Sequence, residues 1–156
     1  MTEHGIGSYE ELLDRCEVAS ASAARLKADL RDTGAKIDEL ALKMKHVAAY
    51  RQLKPIYDRY KASRDKEKFL RGHESEIILF EAAARECKRL GAVPLPATER
   101  MQAEIDELNA RKAILKAELQ KAQRKEQDYA AMRQNVEDFL SPPQPEQERT
   151  KNVELE

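Results

Sequence analysis

Apolar side chains recur along the first third of the chain at alternating steps of four and three residues, from Leu12 to Val47 without a break. This heptad spacing places them on one face of a helix and is typical of a left-handed coiled coil. We name this face the first seam. Its members are Leu12, Cys16, Ala19, Ala23, Leu26, Leu30, Thr33, Ile37, Leu40, Met44 and Val47. Ser8 and Glu11 form a capping-box pattern, so the helix is expected to begin at Tyr9.

A second seam with the same spacing occupies the last third of the chain and includes three charged residues. Thr98 is the expected N-cap of the helix that carries it. Ser141-Pro142-Pro143 is expected to stop that helix, because neither proline has a backbone N–H to donate. The second seam consists of Met101, Ile105, Leu108, Lys112, Leu115, Leu119, Ala122, Glu126, Tyr129, Arg133, Val136 and Leu140.

The segment between the two seams is expected to form several shorter helices. Pro55 predicts a kink or a fresh helix start near residues 53–56. Gly72 predicts the end of a short helix, and a further helix is expected over residues 74–90. Within that helix the run 77–80 and the alanines after it are apolar almost all round, which predicts burial on several sides.

These patterns predict an all-α protein, a long antiparallel coiled-coil hairpin with a small helical head inserted between the two long helices. In this prediction residues 8–49 and 98–140 form the stalk, residues 50–97 form the head, and residues 1–7 and 141–156 are disordered tails. An aromatic content of 5% and the absence of Trp agree with narrow helical seams. The pattern leaves open whether the long helices pair within one chain or between two, because heptads define a face and not its partner.

Positive charge is concentrated in the middle of the chain. The whole sequence has 28 basic and 29 acidic residues, but residues 43–90 carry a net charge of +6. Cations in this region recur at helix-compatible steps beside aromatic residues, and a basic surface with aromatic platforms binds single strands without reading their sequence. The alternative is that the aromatic residues fill the core while the cations coat its outside. The candidate nucleic-acid-binding residues are Arg51, Lys54, Lys61, Arg64, Lys68 and Arg71.

No residue pattern in the sequence predicts catalysis or a cofactor. The three histidines lack metal-ligand spacing, and no glycine-rich phosphate loop occurs. Cys16 and Cys87 are far apart on apolar faces, which favours packing and a reducing cytoplasm. The sequence has no signal pattern and no apolar run long enough to span a bilayer. We therefore expect a non-enzymatic cytoplasmic protein with no metal, cofactor, small-molecule substrate or membrane partner.

Several short stretches between Ser8 and Leu140 follow one another in an order that carries a family resemblance. They are Ser8-Tyr9-Glu10-Glu11-Leu12, Tyr57-Asp58-Arg59-Tyr60-Lys61, Lys68-Phe69-Leu70, His73-Glu74, Ile77-Ile78-Leu79, Ala82-Ala83-Ala84 and Leu95-Pro96. The ordered set resembles the C-terminal helical region of relaxases, the mobilisation nucleases of Gram-positive conjugative and mobilisable elements. In that family strand nicking belongs to an N-terminal domain with a histidine cluster and a tyrosine nucleophile, and no catalytic residue can be carried over to this chain.

The resemblance implies an accessory region of a DNA-mobilisation protein. Such a region would serve the relaxosome by contacting DNA, single strands included, or the coupling proteins, through the basic head. The competing hypothesis is a coiled-coil scaffold that binds only protein partners or forms a homodimer through its seams. Lys112, Glu126 and Arg133 favour that alternative, because polar seam residues often select a partner and a register.

Overall fold

The computed structural model of the chain describes residues 7–141, which are all-α. Helix α1 spans Tyr9–Ala62, α2 spans Lys66–Arg89 and α3 spans Thr98–Leu140. No strand occurs within the described range, so the all-α part of the predicted fold is confirmed, while the coiled-coil hairpin with an inserted head stays a prediction. Residues 1–6 and 142–156, which make up most of the two tails predicted to be disordered, lie outside the described residues.

The helix starts are stabilised by local capping contacts. The Ser8 hydroxyl accepts a hydrogen bond of 3.1 Å from the backbone N–H of Glu11, and the Glu11 carboxylate accepts one of 3.0 Å from the N–H of Gly7. The first contact satisfies a backbone donor that the helix start leaves without a partner, and the second holds the residue before Ser8 against the first turn. At the start of α2 the Asp65 carboxylate accepts from the backbone N–H of Lys68 at 3.1 Å. The beginning of α1 therefore lies where the capping pattern predicts it.

The end of α2 is a Schellman motif around Gly91, whose φ is +72°. The N–H of Ala92 donates to the carbonyl of Cys87 at 2.8 Å, and the N–H of Gly91 donates to the carbonyl of Lys88 at 3.2 Å. Glycine adopts this left-handed conformation without the steric cost that a Cβ would add. The motif stops the helix and turns the chain towards α3.

The two helix breaks predicted between the seams have different outcomes. Of the two outcomes expected near Pro55, the fresh helix start is wrong, because α1 continues through this proline, and the kink stays a prediction. Proline removes one amide hydrogen bond and crowds the carbonyl of the preceding turn. Beyond it the Tyr57 ring stacks on Phe80 of α2 at 4.3 Å, a contact that stabilises the continued helix. The break expected at Gly72 is a kink within α2, where His73 has non-helical dihedral angles of −135° and 24°.

Helix α2 has one buried stripe and not the burial on several sides that its apolar sequence predicts. Ile77, Phe80 and Cys87 belong to the buried stripe. Ile78 and Leu79 are 54% and 58% exposed, so that prediction is wrong for these two residues. The other helices of the same compact unit cover only one side of α2, so its apolar sequence overestimates how many of its sides are buried.

Among the described residues, the first compact unit comprises residues 7–28 and 117–141. Within it α1 and α3 run antiparallel, since the Tyr9 hydroxyl donates to Glu137 at 3.0 Å while the Cys16 thiol, seven residues further along α1, donates to the Tyr129 carbonyl. The buried core of this unit is Leu12, Ala19 and Tyr129.

The second compact unit comprises residues 29–116 and contains parts of α1 and α3 together with all of α2. A cluster of buried residues in this unit takes its members from the three helices and from the connection between α2 and α3. The buried members are Val47, Cys87, Ala92 and Met101, with Met44, Tyr50 and Leu95 packed around them. The predicted division into a stalk and a head, with boundaries at residues 49/50 and 97/98, stays a prediction.

Burial follows the two seams closely. Every residue of the first seam is buried or half-buried, and in the second seam only Arg133 and Leu140 are exposed. Buried Thr33 is satisfied by its own helix, since its hydroxyl donates to the carbonyl of Asp29 at 2.7 Å. No helix within residues 7–141 combines the length and the apolar character needed to cross a membrane.

Candidate nucleic-acid interface

The six predicted nucleic-acid-binding residues lie in the second compact unit, along the end of α1, the turn after it and the start of α2. All six side chains are exposed. Arg51, Lys54 and Lys61 belong to α1, Arg64 to the turn, and Lys68 and Arg71 to α2.

Two of the six side chains are held by contacts within the unit. The Arg51 guanidinium donates to the Thr98 hydroxyl at 2.8 Å and to the Pro96 carbonyl at 2.7 Å, so it ties α1 to the start of α3. Lys54 donates to the Asp58 carboxylate at 3.1 Å, and this hydrogen bond raises the pKa of Lys54. Both cations are therefore less free to contact a phosphate than the sequence pattern suggests.

The other four predicted cations are exposed to solvent in looser arrangements. The Lys61 ammonium lies 5.4 Å from the centre of the Tyr57 ring. Arg71 forms an ion pair of 3.7 Å with Glu67, and both side chains are more than 80% exposed. Such surface ion pairs contribute little to the free energy of folding. Arg64 and Lys68 take part in no ion pair with any residue between 7 and 141.

Two further cations in the same region are absent from the predicted set. Arg59 and Lys66 are exposed, and no described residue pairs with them. The sequence signal that identifies them is local charge and not helical spacing, because residues 59–71 contain six basic and two acidic side chains. We name this segment the basic turn. Its basic members are Arg59, Lys61, Arg64, Lys66, Lys68 and Arg71.

The aromatic residues near the basic turn pack mainly against one another. Tyr50 and Tyr57 contact the buried Phe80 ring at 4.8 and 4.3 Å, and Tyr60 lies 6.1 Å from Tyr57 and 6.3 Å from Phe69 between ring centres. Offset and tilted contacts at these distances stabilise a core. The alternative interpretation of the sequence, aromatic core inside and cations outside, therefore describes Tyr50, Tyr57 and Phe80 well.

The last rings of this series reach a surface cavity. Phe69 and His73 lie 4.5 Å apart, and both line an open cavity of about 310 Å³ between the turn and α2. The His73 Nδ1 atom is 2.9 Å from the Glu76 carboxylate, which fixes the orientation of the imidazole ring. The full lining is Ser63, Asp65, Lys68, Phe69, Gly72 and His73.

The described part of the chain shows no arrangement of side chains suited to nucleophilic chemistry or metal binding. Cys87 is completely buried, and burial raises the pKa of its thiol, which disfavours the reactive thiolate. Within residues 7–141, no three histidine, cysteine or acidic side chains come together in a group suited to a metal ion. The arrangement that stands out chemically is thus the basic turn with its adjoining cavity.

Comparison with known proteins identifies no relative of this chain. No protein-family model, no curated protein and no solved structure matches the chain. The resemblance to the helical region of relaxases stays a hypothesis that rests on the short sequence stretches alone.

Proposed function

We propose that this protein is a helical interaction module whose basic turn contacts the phosphates of nucleic acid. The observation that carries the proposal is the concentration of six exposed cations within residues 59–71. Only Arg71 has an ion-pair partner among the described residues, and the other five, Arg59, Lys61, Arg64, Lys66 and Lys68, have none. Exposed cations without an ion-pair partner release counterions from a phosphate backbone when they bind it.

The proposed biological setting is DNA mobilisation. The relaxase resemblance supports an accessory role in which the module contacts DNA or the coupling proteins of a relaxosome. An antiparallel coiled-coil stalk that carries a helical head is part of the same proposal, and the burial of the whole first seam supports it.

The test is fluorescence anisotropy of labelled single-stranded and duplex DNA at several salt concentrations. The decisive variant carries K61Q, R64Q, K68Q and R71Q. Each lost phosphate contact flattens the slope of log affinity against log salt by about 0.9 on duplex and about 0.7 on single strands. We expect weaker binding and a slope flatter by about 3.6 on duplex or about 2.8 on single strands when all four contacts are lost.

A matched control removes four exposed cations from α3. Arg111, Lys116, Lys121 and Arg124 are exposed, and no ion pair within the described part of the chain involves them. Their replacement by Gln changes the net charge by the same amount but leaves every cation of the basic turn in place. Most of the affinity for DNA should therefore remain. Equal losses in the two variants would show that the basic turn is not the contact surface.

The second candidate function is a scaffold that binds only proteins. The neighbouring side chains of Ile78 and Leu79 favour it, because adjacent exposed apolar residues on a helix are candidate contacts for another protein. If the wild-type protein binds no DNA even at low salt, this function becomes the leading one. Sedimentation equilibrium then separates its two versions, since a monomer contradicts a homodimer formed through the seams.

A further inference from the structure

The cavity beside the basic turn has the dimensions of a site for one flat ring system. Its volume of about 310 Å³ lies near the lower end of the range of small-ligand sites, about 300–1,000 Å³. Phe69 and His73 supply two aromatic surfaces in its lining, and Lys68 supplies a cation at its edge. A ring with an attached anion is the kind of ligand that this combination fits.

The aromatic rings behind the cavity form a continuous series that ends there. From Phe80 the series passes through Tyr57, Tyr60 and Phe69 to His73, with centre-to-centre distances between 4.3 and 6.3 Å. The His73 side chain is 40% exposed while its Nδ1 is held at 2.9 Å from Glu76. The terminal ring is thus both accessible and fixed in orientation, so a ligand ring can continue the series without first ordering it.

The polar groups around the cavity limit where an anion can lie. The Asp65 carboxylate already accepts a hydrogen bond from the backbone N–H of Lys68. The first turn of α2 therefore carries a negative charge and does not favour a bound anion. A phosphate is therefore expected beside the side chains of Arg64 and Lys68, away from that carboxylate. Gly72 leaves the cavity wall open, because nothing lies within 4 Å of the position that a Cβ would take there.

We infer that this cavity binds an unpaired base of single-stranded nucleic acid, stacked on His73 and lying beside Phe69, while the basic turn holds the adjoining phosphates. The inference rests on the proposed function and adds strand specificity to it. Bases in a duplex are stacked on their neighbours and are not available to enter such a cavity, whereas every unpaired base has a face to stack on an aromatic side chain. The module should therefore prefer single strands to duplex.

The first test fills the cavity without disturbing the helix. In the Gly72→Met variant the new side chain meets open space at its Cβ, and Gly72 does not have a positive φ, so the fold should hold. We expect affinity for oligothymidine to fall by about 5- to 150-fold, the range that corresponds to the loss of one stacked base. Affinity for a duplex of equal length should not change.

Gly34→Met is the matched control, because Gly34 is also a helical glycine with open space at its Cβ, and it lies outside the cavity lining. This variant should bind both forms of DNA like the wild type. A loss of single-strand affinity as large as that of Gly72→Met would contradict the inference.

A second measurement reports stacking directly. The chain has no Trp, so Phe69→Trp introduces a single indole at the cavity. Oligothymidine at saturation should quench its emission strongly, whereas duplex should not, and equal quenching by the two forms would contradict a base in the cavity. Equal wild-type affinity for both forms would overturn this inference and leave the proposed function standing. A wild-type protein that binds neither form would contradict the proposed function itself.

Discussion

Replacement of Leu12 by Ala tests the packing of the first compact unit. Leu12 is completely buried between α1 and α3, beside the buried residues Ala19 and Tyr129. The change removes three carbon atoms, which at about 0.8 kcal/mol for each buried carbon group corresponds to a transfer loss of about 2.4 kcal/mol. The cavity that remains lowers the free energy of unfolding further. Met132 packs beside Leu12 and has a flexible side chain, so it should move into part of the cavity and reduce this cost. We expect the free energy of unfolding to fall by about 2–3 kcal/mol.

Urea denaturation followed by far-UV circular dichroism measures this loss, and amide hydrogen exchange localises it. The exchange should accelerate chiefly in residues 9–28 and 117–140, because these segments form the unit that contains Leu12. Leu140→Ala is the control, since it removes the same atoms in the same unit from a side chain that is 65% exposed. A loss for Leu12→Ala no larger than that of the control would refute the argument that this contact stabilises the helix pair.

Two further predictions concern polar contacts. Glu137 accepts hydrogen bonds of 3.0 Å from Arg133 and Tyr9, and these lower its pKa below the ordinary value of 4.5. The wild type should therefore lose stability as the pH falls through and below that value, because protonation then favours the unfolded chain. In the Glu137→Gln variant the urea midpoint should fall less steeply as the pH is lowered through this range. A midpoint that depends on pH as steeply as that of the wild type would contradict the contact. Arg51→Met should lower stability by less than half of the Leu12→Ala effect and leave DNA affinity almost unchanged, because Arg51 is held by Thr98 and Pro96. A large loss of DNA affinity in anisotropy would instead place Arg51 in the interface.

The sequence predicted most successfully those features that depend on neighbours within a few residues. The start of α1 follows from Ser8 and Glu11, and the ends of α3 follow from the patterns around Thr98 and Ser141, because caps and breakers act locally. The seams likewise predicted which face of each long helix is buried. Leu140 fits the second seam but is exposed, since Glu137 already lies level with Tyr9, the first residue of α1. A heptad pattern does not reveal where its partner helix begins.

Features that depend on tertiary packing were not predictable in this way. The passage of α1 through Pro55 depends on aromatic contacts with α2, and the exposure of Ile78 depends on how many helices surround it. The candidate site shows the same division. Spacing identified cations such as Lys61, but it also selected Arg51, which a contact distant in sequence holds, and it missed Arg59. The cavity beside Phe69 arises only when the turn and α2 fold together.

The two cysteines give the native chain a built-in pair of chemical labels. Cys16, in the first unit, is half-buried, whereas Cys87, in the second, has no exposed surface. A thiol-reactive dye should therefore attach to Cys16 first and leave the basic turn unmodified. The rate at which Cys87 then reacts measures how often the second unit opens, because its thiol becomes accessible only when that packing is lost. Without any substitution, Cys16 can carry a spectroscopic label, and the reaction rate of Cys87 reports local unfolding of the second unit.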